Sequence, residues 1–120
     1  MSVLSQLAIY IIKTPGHGWK DRLWLDAIDP LTEVVTGPLN LTGKQVTGSF
    51  TRLDDNTIIA VTEGSGITIL SAPGGEFTAG LTWAQLNLIP IGTQVELRFT
   101  VWDGDLAVVN SPLVYAIKAG

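Results

Sequence analysis

The sequence predicts an all-β domain that contains one short helical turn. Apolar runs are short, and Gly, Pro, Asn and Asp separate them at close spacing, as in β-sandwiches and barrels. Residues 94–102 alternate along a whole strand, and one face carries Val95, Leu97, Phe99 and Val101. A helix-capping pattern at residues 82–85 lies between two strand-like runs. The length of 120 residues fits one domain.

The N-terminal part is predicted to contain two strands. The run at 5–13 is rich in β-forming residues, and the Pro and Gly residues at 14–18 end it. Residues 21–28 form the next strand, in which Leu23, Leu25 and Ala27 point to one side. We divide the chain into an N-terminal arm or first strand, residues 1–20, and a domain, residues 21–120.

The middle of the chain is predicted to be a series of short strands. Residues 45–53 alternate, with Val46, Phe50 and Leu53 as expected core contacts. Asp54, Asp55 and Asn56 then predict a turn, because their side chains hydrogen-bond to nearby backbone. Strands follow at 57–62, 67–70 and 77–81, with glycine-rich turns between them.

The helical turn is predicted from a capping box. The Thr82 hydroxyl can accept a hydrogen bond from the Gln85 backbone, and the Gln85 side chain can accept one from Thr82. Pro90 and Gly92 prevent a longer helix. After the strand at 94–102, the hairpin dipeptide Asp103-Gly104 leads into strands at 106–109 and 113–118. These elements predict an immunoglobulin-like antiparallel β-sandwich, and a small barrel is the competing architecture.

The composition favours burial against other protein surfaces. The formal charge is −4 with no run of Lys or Arg, which disfavours nucleic-acid binding. Cysteine is absent, so disulfides and thiolate metal sites are excluded. Charged residues make up only 15% of the chain, against about 25% in typical soluble domains. A membrane-spanning helix needs about 18 consecutive apolar residues, and no run in this sequence is that long. We therefore expect no membrane association.

Candidate catalytic and metal-binding residues have simpler interpretations. His17 is the single histidine and lies between glycines in a loop, without the partners that a catalytic base or a zinc site needs. Asp103 and Asp105 lack the further ligands of a calcium loop. Asp54 and Asp55 are adjacent turn residues, whereas paired catalytic carboxylates face each other across a substrate. We therefore predict no enzymatic activity and no cofactor or metal.

The chain has four tryptophans, which favour two kinds of surface. Their faces would stack on sugars in a carbohydrate-binding module, or they would anchor a protein interface or fill the core. The charge-poor composition favours a protein interface. The apolar segment at residues 1–12 is expected to pair with a neighbouring subunit. The predicted interface residues are Leu7, Ile9, Tyr10, Ile12, Trp19, Trp24 and Trp102.

Several motifs recur in the order of a known family. Asn40-Leu41-Thr42-Gly43-Lys44-Gln45-Val46 followed by Phe50-Thr51-Arg52 resembles the "LTG-x-x-V…R" motif of bacteriophage baseplate and tail immunoglobulin-like domains. These domains are found at the N-terminus of upper baseplate proteins. The motifs Gly75-Glu76-Phe77, Leu81-Thr82-Trp83-Ala84-Gln85, Pro90-Ile91-Gly92 and Trp102-Asp103-Gly104 complete the resemblance. It covers about residues 21–118.

The resemblance implies a non-enzymatic structural role in a virion, assembled in the host cytoplasm. The expected positions are the tail, baseplate or neck, or the capsid as a decoration (cement) protein. The expected partners are other virion proteins and further copies of this chain in a symmetric assembly. A carbohydrate-binding module for host-surface attachment is the alternative function. A small hydrolase is a third hypothesis, for which the sequence offers almost no support.

Overall fold

The computed structural model describes residues 2–6 and 9–120, which form ten strands and one helical turn. In chain order the elements are β1 (Ser2–Gln6), β2 (Tyr10–Lys13), β3 (Trp19–Ile28), β4 (Val35–Pro38), β5 (Gln45–Arg52), β6 (Ile58–Glu63), β7 (Gly66–Ser71), β8 (Glu76–Leu81), α1 (Trp83–Leu86), β9 (Gln94–Asp103) and β10 (Leu106–Ala119). The prediction of an all-β fold with one helical turn is confirmed for these residues.

The strands form a single mixed sheet. Its order is β1-β3-β8-β7-β6-β5-β9-β10-β2, and β4 pairs with β3 beside this path. Most pairings are antiparallel, but β10 pairs with β2 and β6 pairs with β7 in parallel. The β6–β7 contact joins only two residue pairs. The prediction of a purely antiparallel arrangement is therefore wrong, because β2 crosses to the last strand and β7 continues the direction of β6.

The sheet curls so that its two halves enclose the core. We call β1, β3, β8 and β7 the first half, and β6, β5, β9, β10 and β2 the second half. Phe77 on β8 meets Phe99 on β9 edge to face, with ring centroids 5.0 Å apart. Trp19 at the start of β3 meets Tyr115 on β10 in the same way, at 5.2 Å. Such edge-to-face contacts add to the stabilisation from burial alone.

The predicted alternation of the main core strands is confirmed. Val95, Leu97, Phe99 and Val101 of β9 are all buried. On β3 the buried residues include Leu23 and Leu25, and on β5 they are Val46 and Phe50. The prediction that Leu53 lies in the core is wrong: its side chain is 44% exposed. The reason is that β5 ends at Arg52, so Leu53 already belongs to the following turn.

The N-terminal run contains two strands, so the prediction of one strand at 5–13 is wrong. β1 pairs antiparallel with β3, and β2 pairs in parallel with the end of β10. β1 therefore lies in the first half of the sheet and β2 in the second half. Ile11, opposite Ile117, is fully buried in the core. Both strands of the region that we separated as an arm therefore pair within the chain.

The last predicted pair of strands is one continuous strand. β10 runs from Leu106 to Ala119, with a register irregularity between Ala107 and Val109. Pro112 lies opposite Arg98, outside the stretch of β10 that pairs with β2. A proline is tolerated where a strand lacks a second neighbour, because its missing N–H then breaks no ladder bond. The Ser-Pro dipeptide therefore does not end the strand.

The helical turn is fixed at both of its ends. The capping box is confirmed: Gln85 N donates to Thr82 Oγ1 at 3.3 Å, and Thr82 N donates to Gln85 Oε1 at 2.9 Å. After the turn, Lys13 Nζ donates to the Ile89 carbonyl at 2.8 Å. Arg52 donates to the Leu88 carbonyl at 3.2 Å. The ends of β2 and β5 therefore hold the loop that leads into β9.

Candidate protein interface

An exposed apolar surface lies at the β2 end of the sheet. On β2, Ile11 points into the core, whereas Tyr10 and Ile12 point outward and are 41% and 38% exposed. Val114 of the adjacent strand β10 lies on the same outer face, and Ile9 precedes β2. We call Ile9, Tyr10, Ile12 and Val114 the β2 surface. Grouped exposed apolar residues of this kind are typical of protein interaction sites.

Polar and charged side chains surround the β2 surface. Lys118 Nζ lies 4.8 Å from the centre of the Tyr10 ring, which is a cation–π distance. Val114 lies opposite Glu96 on β9, and Glu96 is ion-paired with Arg98. The surface therefore combines an apolar centre with a polar rim, which is the usual anatomy of a protein interface.

Trp102 lies at the far end of the same half of the sheet. It is half-buried on the outer face of β9, and its indole N–H donates to Thr47 Oγ1 at 2.9 Å. Tyr10 lies beside the opposite end of β9, because both it and Gln94 pair with Ala116. The structure therefore does not bring Trp102 together with the β2 surface, although both lie on one outer face.

The other tryptophans lie elsewhere. Trp19 is half-buried, and its ring packs edge to face on Phe50 and Tyr115, so it belongs to the core margin. Trp83 also packs against the core. Trp24 lies on the outer face of β3, opposite Glu76, in the first half of the sheet. The four indole rings therefore form no common platform.

The predicted interface set is only partly assembled by the fold. Ile9, Tyr10 and Ile12 share the β2 surface, and Trp102, Trp19 and Trp24 do not join it. Leu7 lies outside the described residues. Sequence reasoning missed Val114, although alternation with the inward-pointing Tyr115 and Ile117 would have placed it outward. Its neighbour β2 is remote in sequence, so nothing local marked Val114 as part of a surface.

The polar residues singled out from the sequence lie in turns. His17 is exposed, and its backbone N–H donates to the Thr14 carbonyl at 3.0 Å. Arg52 contacts Asp54 at 2.7 Å and Asp55 at 3.5 Å. The hydrogen bond from Arg52 holds the pKa of Asp54 below its ordinary value, which makes this carboxyl a poor proton donor. Asp103 and Asp105 are exposed around the β9–β10 hairpin.

A buried polar pair joins the two halves of the sheet. The Tyr115 hydroxyl donates to Asp21 Oδ2 at 2.8 Å, and both side chains are almost completely buried. Burial raises the pKa of Tyr115 strongly, and its hydrogen bond to Asp21 raises it further. A hydrogen bond to a buried carboxylate is stronger than one between neutral groups. The pair therefore connects β3 to β10 through the core.

A shallow groove of about 630 Å³ opens on the outer face of the first half. It lies where the 64–66 turn approaches the start of β3 and the capping box. Its polar lining residues are Lys20, Ser65, Thr68, Thr78, Thr82 and Gln85. These hydroxyl, amide and ammonium groups can form hydrogen bonds with a ligand, but the groove contains no nucleophile–base pair.

Within the described ranges, no group of three or more His, Asp or Glu side chains is arranged to hold a metal ion. None of the helices in that part of the chain has the length and apolar character needed to cross a membrane. No protein-family model, curated protein or solved structure matches this chain.

Proposed function

We propose that this chain is a non-enzymatic structural protein of a bacteriophage virion. It serves as an assembly or attachment module of the tail, baseplate or neck, or as a capsid decoration (cement) protein. The observation that supports the assembly role is the β2 surface, where Tyr10, Ile12 and Val114 expose apolar area beside a polar rim. The resemblance of the sequence motifs supports the step to a bacteriophage virion. Its partners are other virion proteins and further copies of the chain, and its location is the virion, assembled in the host cytoplasm.

We further propose that the curled sheet is an immunoglobulin-like sandwich. The order β1-β3-β8-β7 is the order A-B-E-D of that fold if the strands are lettered along the chain and β2 and β4 are treated as additions. With the same lettering, β6-β5-β9-β10 follows the order C′-C-F-G. The β6–β7 contact of two residue pairs is then a bridge between two sheets. An experimental structure in which these two strands separate would support this assignment.

The residues of the motifs that resemble the baseplate domains have structural roles that fit this assignment. Leu41 is buried where the chain enters β5, and Arg52 holds the loop after α1. Thr82 and Gln85 form the capping box between β8 and β9. These roles support a shared fold. The step from fold to virion role is analogy, since one fold supports many functions.

The test is mass spectrometry of purified phage particles after separation of heads from tails. Peptides between Leu53 and Arg98 in the tail fraction, at a fixed ratio to a tail protein, are expected for an attachment module. The same peptides in heads, at a fixed ratio to the major capsid protein, are expected for a decoration protein. Absence from both fractions would overturn the virion proposal.

The carbohydrate-binding alternative has less support. Sugar recognition by stacking needs exposed aromatic faces on one surface, but Trp19 and Trp83 pack against the core. Trp24 and Trp102 lie on the outer faces of opposite halves. A titration of tryptophan fluorescence with host glycans tests this alternative, and our proposal predicts no saturable change.

A further inference from the structure

The two ends of the molecule differ in charge. At one end, which we call the acidic pole, β3 and β9 finish. It carries five carboxylates and one lysine: Asp26, Asp29, Glu33, Asp103, Asp105 and Lys44. At the opposite end, the basic pole, β3 begins and β2, β5 and β10 finish. Apart from the buried Asp21, it carries four cations and two carboxylates: Lys13, Lys20, Arg52, Lys118, Asp54 and Asp55.

Contacts between and within the two halves of the sheet show which strand ends lie at the same pole. At the acidic pole, Leu39 N donates to the Leu25 carbonyl at 2.8 Å, and the chain then enters β5, where Gln45 pairs with Trp102. At the basic pole, β2 and β10 end side by side, and Trp19 at the start of β3 packs on Tyr115 of β10 with ring centroids 5.2 Å apart. The charges named for each pole therefore belong to the same end of the molecule.

The acidic charges are not neutralised internally. In the part of the chain that the structure describes, the ion pairs are Arg22–Glu76, Arg52–Asp54, Arg52–Asp55 and Arg98–Glu96. None of the five carboxylates of the acidic pole takes part in these pairs. At the basic pole, Arg52 is paired with both carboxylates, and the four cations exceed these two carboxylates by two positive charges. Opposite potentials thus lie at the two ends.

Each pole also exposes large apolar side chains in its loops or at the first residue of a strand. At the acidic pole, Leu31, Val34, Val35 and Leu106 are all more than half exposed. At the basic pole, Leu88 and Ile91 are more than half exposed. Leu53 is also exposed, and its backbone N–H donates to the Gln94 carbonyl at the start of β9. Apolar side chains surrounded by charge of one sign are suited to a partner that carries the opposite sign.

We infer that the basic pole of one copy docks on the acidic pole of the next, so that the chain associates head to tail with itself. The occupant is a second copy because the same chain carries both complementary ends. A two-fold contact between identical poles would instead bring like charges together. A head-to-tail contact is heterologous and generates a ring if it closes or a filament if it does not. The inference rests on the proposed assembly function for its biological context.

The experiment is sedimentation velocity of the purified chain at low and high salt. The wild type is expected to associate in a concentration-dependent way, and more weakly at high salt, because screening weakens the contact between charged poles. Leu88→Asp alters the basic pole, and Leu31→Lys alters the acidic pole. Each change replaces an exposed side chain, so folding is checked by circular dichroism. Each variant alone is expected to associate at least about tenfold more weakly.

Mixing the two variants distinguishes the possible contacts. Leu31→Lys keeps an intact basic pole and Leu88→Asp keeps an intact acidic pole, so the mixture is expected to form a one-to-one dimer that grows no further. A mixture that stays monomeric, a variant that associates like the wild type, or a wild type that is monomeric up to about 1 mM would each overturn the inference.

A third variant separates this inference from the proposed function. Val114→Asp changes the β2 surface and leaves both poles intact, so its head-to-tail association is expected to match the wild type. If it associates normally but is no longer incorporated into particles, the β2 surface serves other virion proteins. If Val114→Asp abolishes self-association, the poles are not the contact and the inference is overturned, whatever the particle analysis shows.

Discussion

The two faces of β2 illustrate two different demands on one short strand. Ile11 points inward, has no exposed surface and lies opposite Ile117 of β10. Its neighbours Tyr10 and Ile12 point outward and keep about two-fifths of their surface in contact with solvent. All three are large and mainly apolar, so composition alone does not separate them. The inward face therefore contributes to the stability of the fold, while the outward face is available for association.

The largest expected effect is on the inward face. Ile11→Ala removes buried methyl groups and leaves a cavity between β2 and the core, so we expect a loss of about 2–5 kcal/mol of unfolding free energy. Urea denaturation followed by circular dichroism measures it. Ile12→Ala is the matched control and is expected to change stability by less than about 0.5 kcal/mol. Equal effects of the two substitutions would contradict the assignment of the two faces.

The next largest loss of stability is expected from the buried hydrogen bond between Tyr115 and Asp21. Tyr115→Phe removes the donor to Asp21, and we expect a loss of about 1.5–3 kcal/mol, the range for hydrogen bonds to charged groups. The control is Tyr10→Phe, which removes a hydroxyl from the outward face. Denaturation midpoints of the two variants provide the comparison. If Tyr115→Phe were as stable as Tyr10→Phe, the pair would not connect the two halves.

The same hydroxyl predicts an alkaline dependence of stability. The pKa of Tyr115 is raised in the folded state, so its contribution is complete below about pH 10, the ordinary tyrosine pKa, and decreases as the pH rises further. In Tyr10→Phe, Tyr115 is the single remaining tyrosine. Its phenolate absorbance near 295 nm is expected to appear together with the loss of circular dichroism. Ionisation of a fully folded protein near pH 10 would contradict this.

A smaller effect is expected at the capping box. Thr82→Ala removes the acceptor for the Gln85 backbone N–H, and we expect a loss of about 1 kcal/mol. Thr82→Ser keeps the hydroxyl and is expected to retain most of the stability. Thermal unfolding of the three proteins measures the difference. An alanine variant as stable as the serine variant would show that the helical turn is held by packing of Leu86 instead.

The smallest effect on stability, and the largest on incorporation into particles, is expected on the outward face. Ile12→Asp places a charge at the centre of the β2 surface but leaves Ile11 and the core unchanged. We expect an unfolding free energy within about 0.5 kcal/mol of the wild type. Incorporation into particles is expected to fall, as measured by quantitative mass spectrometry. Unchanged incorporation would separate the β2 surface from assembly.

Short-range sequence patterns correctly predicted the elements that depend on neighbouring residues. The alternation of β9, the turn at Asp54–Asn56 and the capping box each depend on residues a few positions apart, and the structure contains all three. The split of the N-terminal run into β1 and β2 was not predictable, because no glycine or proline interrupts it. The parallel contact between β2 and β10 joins opposite ends of the chain, and no short-range pattern encodes it.

The candidate site was predictable to a similar extent. Apolar character identified Ile9, Tyr10 and Ile12, and the strand period explains why Ile11 between them is buried. Trp19 was assigned to the interface by residue type, but its ring packs on Phe50 and Tyr115. Long-range packing decided its position. The charge difference between the poles was hidden for the same reason, since each pole collects residues from several separate loops.

Hydroxyl-radical footprinting of the isolated chain and of purified particles tests whether the β2 surface mediates assembly. We predict that the oxidation rate of Tyr10 falls in the particle, while that of Trp24 on the opposite outer face changes less and the buried Tyr115 stays protected in both. That result would place the β2 surface in a contact with the rest of the virion. An equal oxidation rate of Tyr10 in particles and in the isolated chain would contradict the claim that this surface mediates assembly.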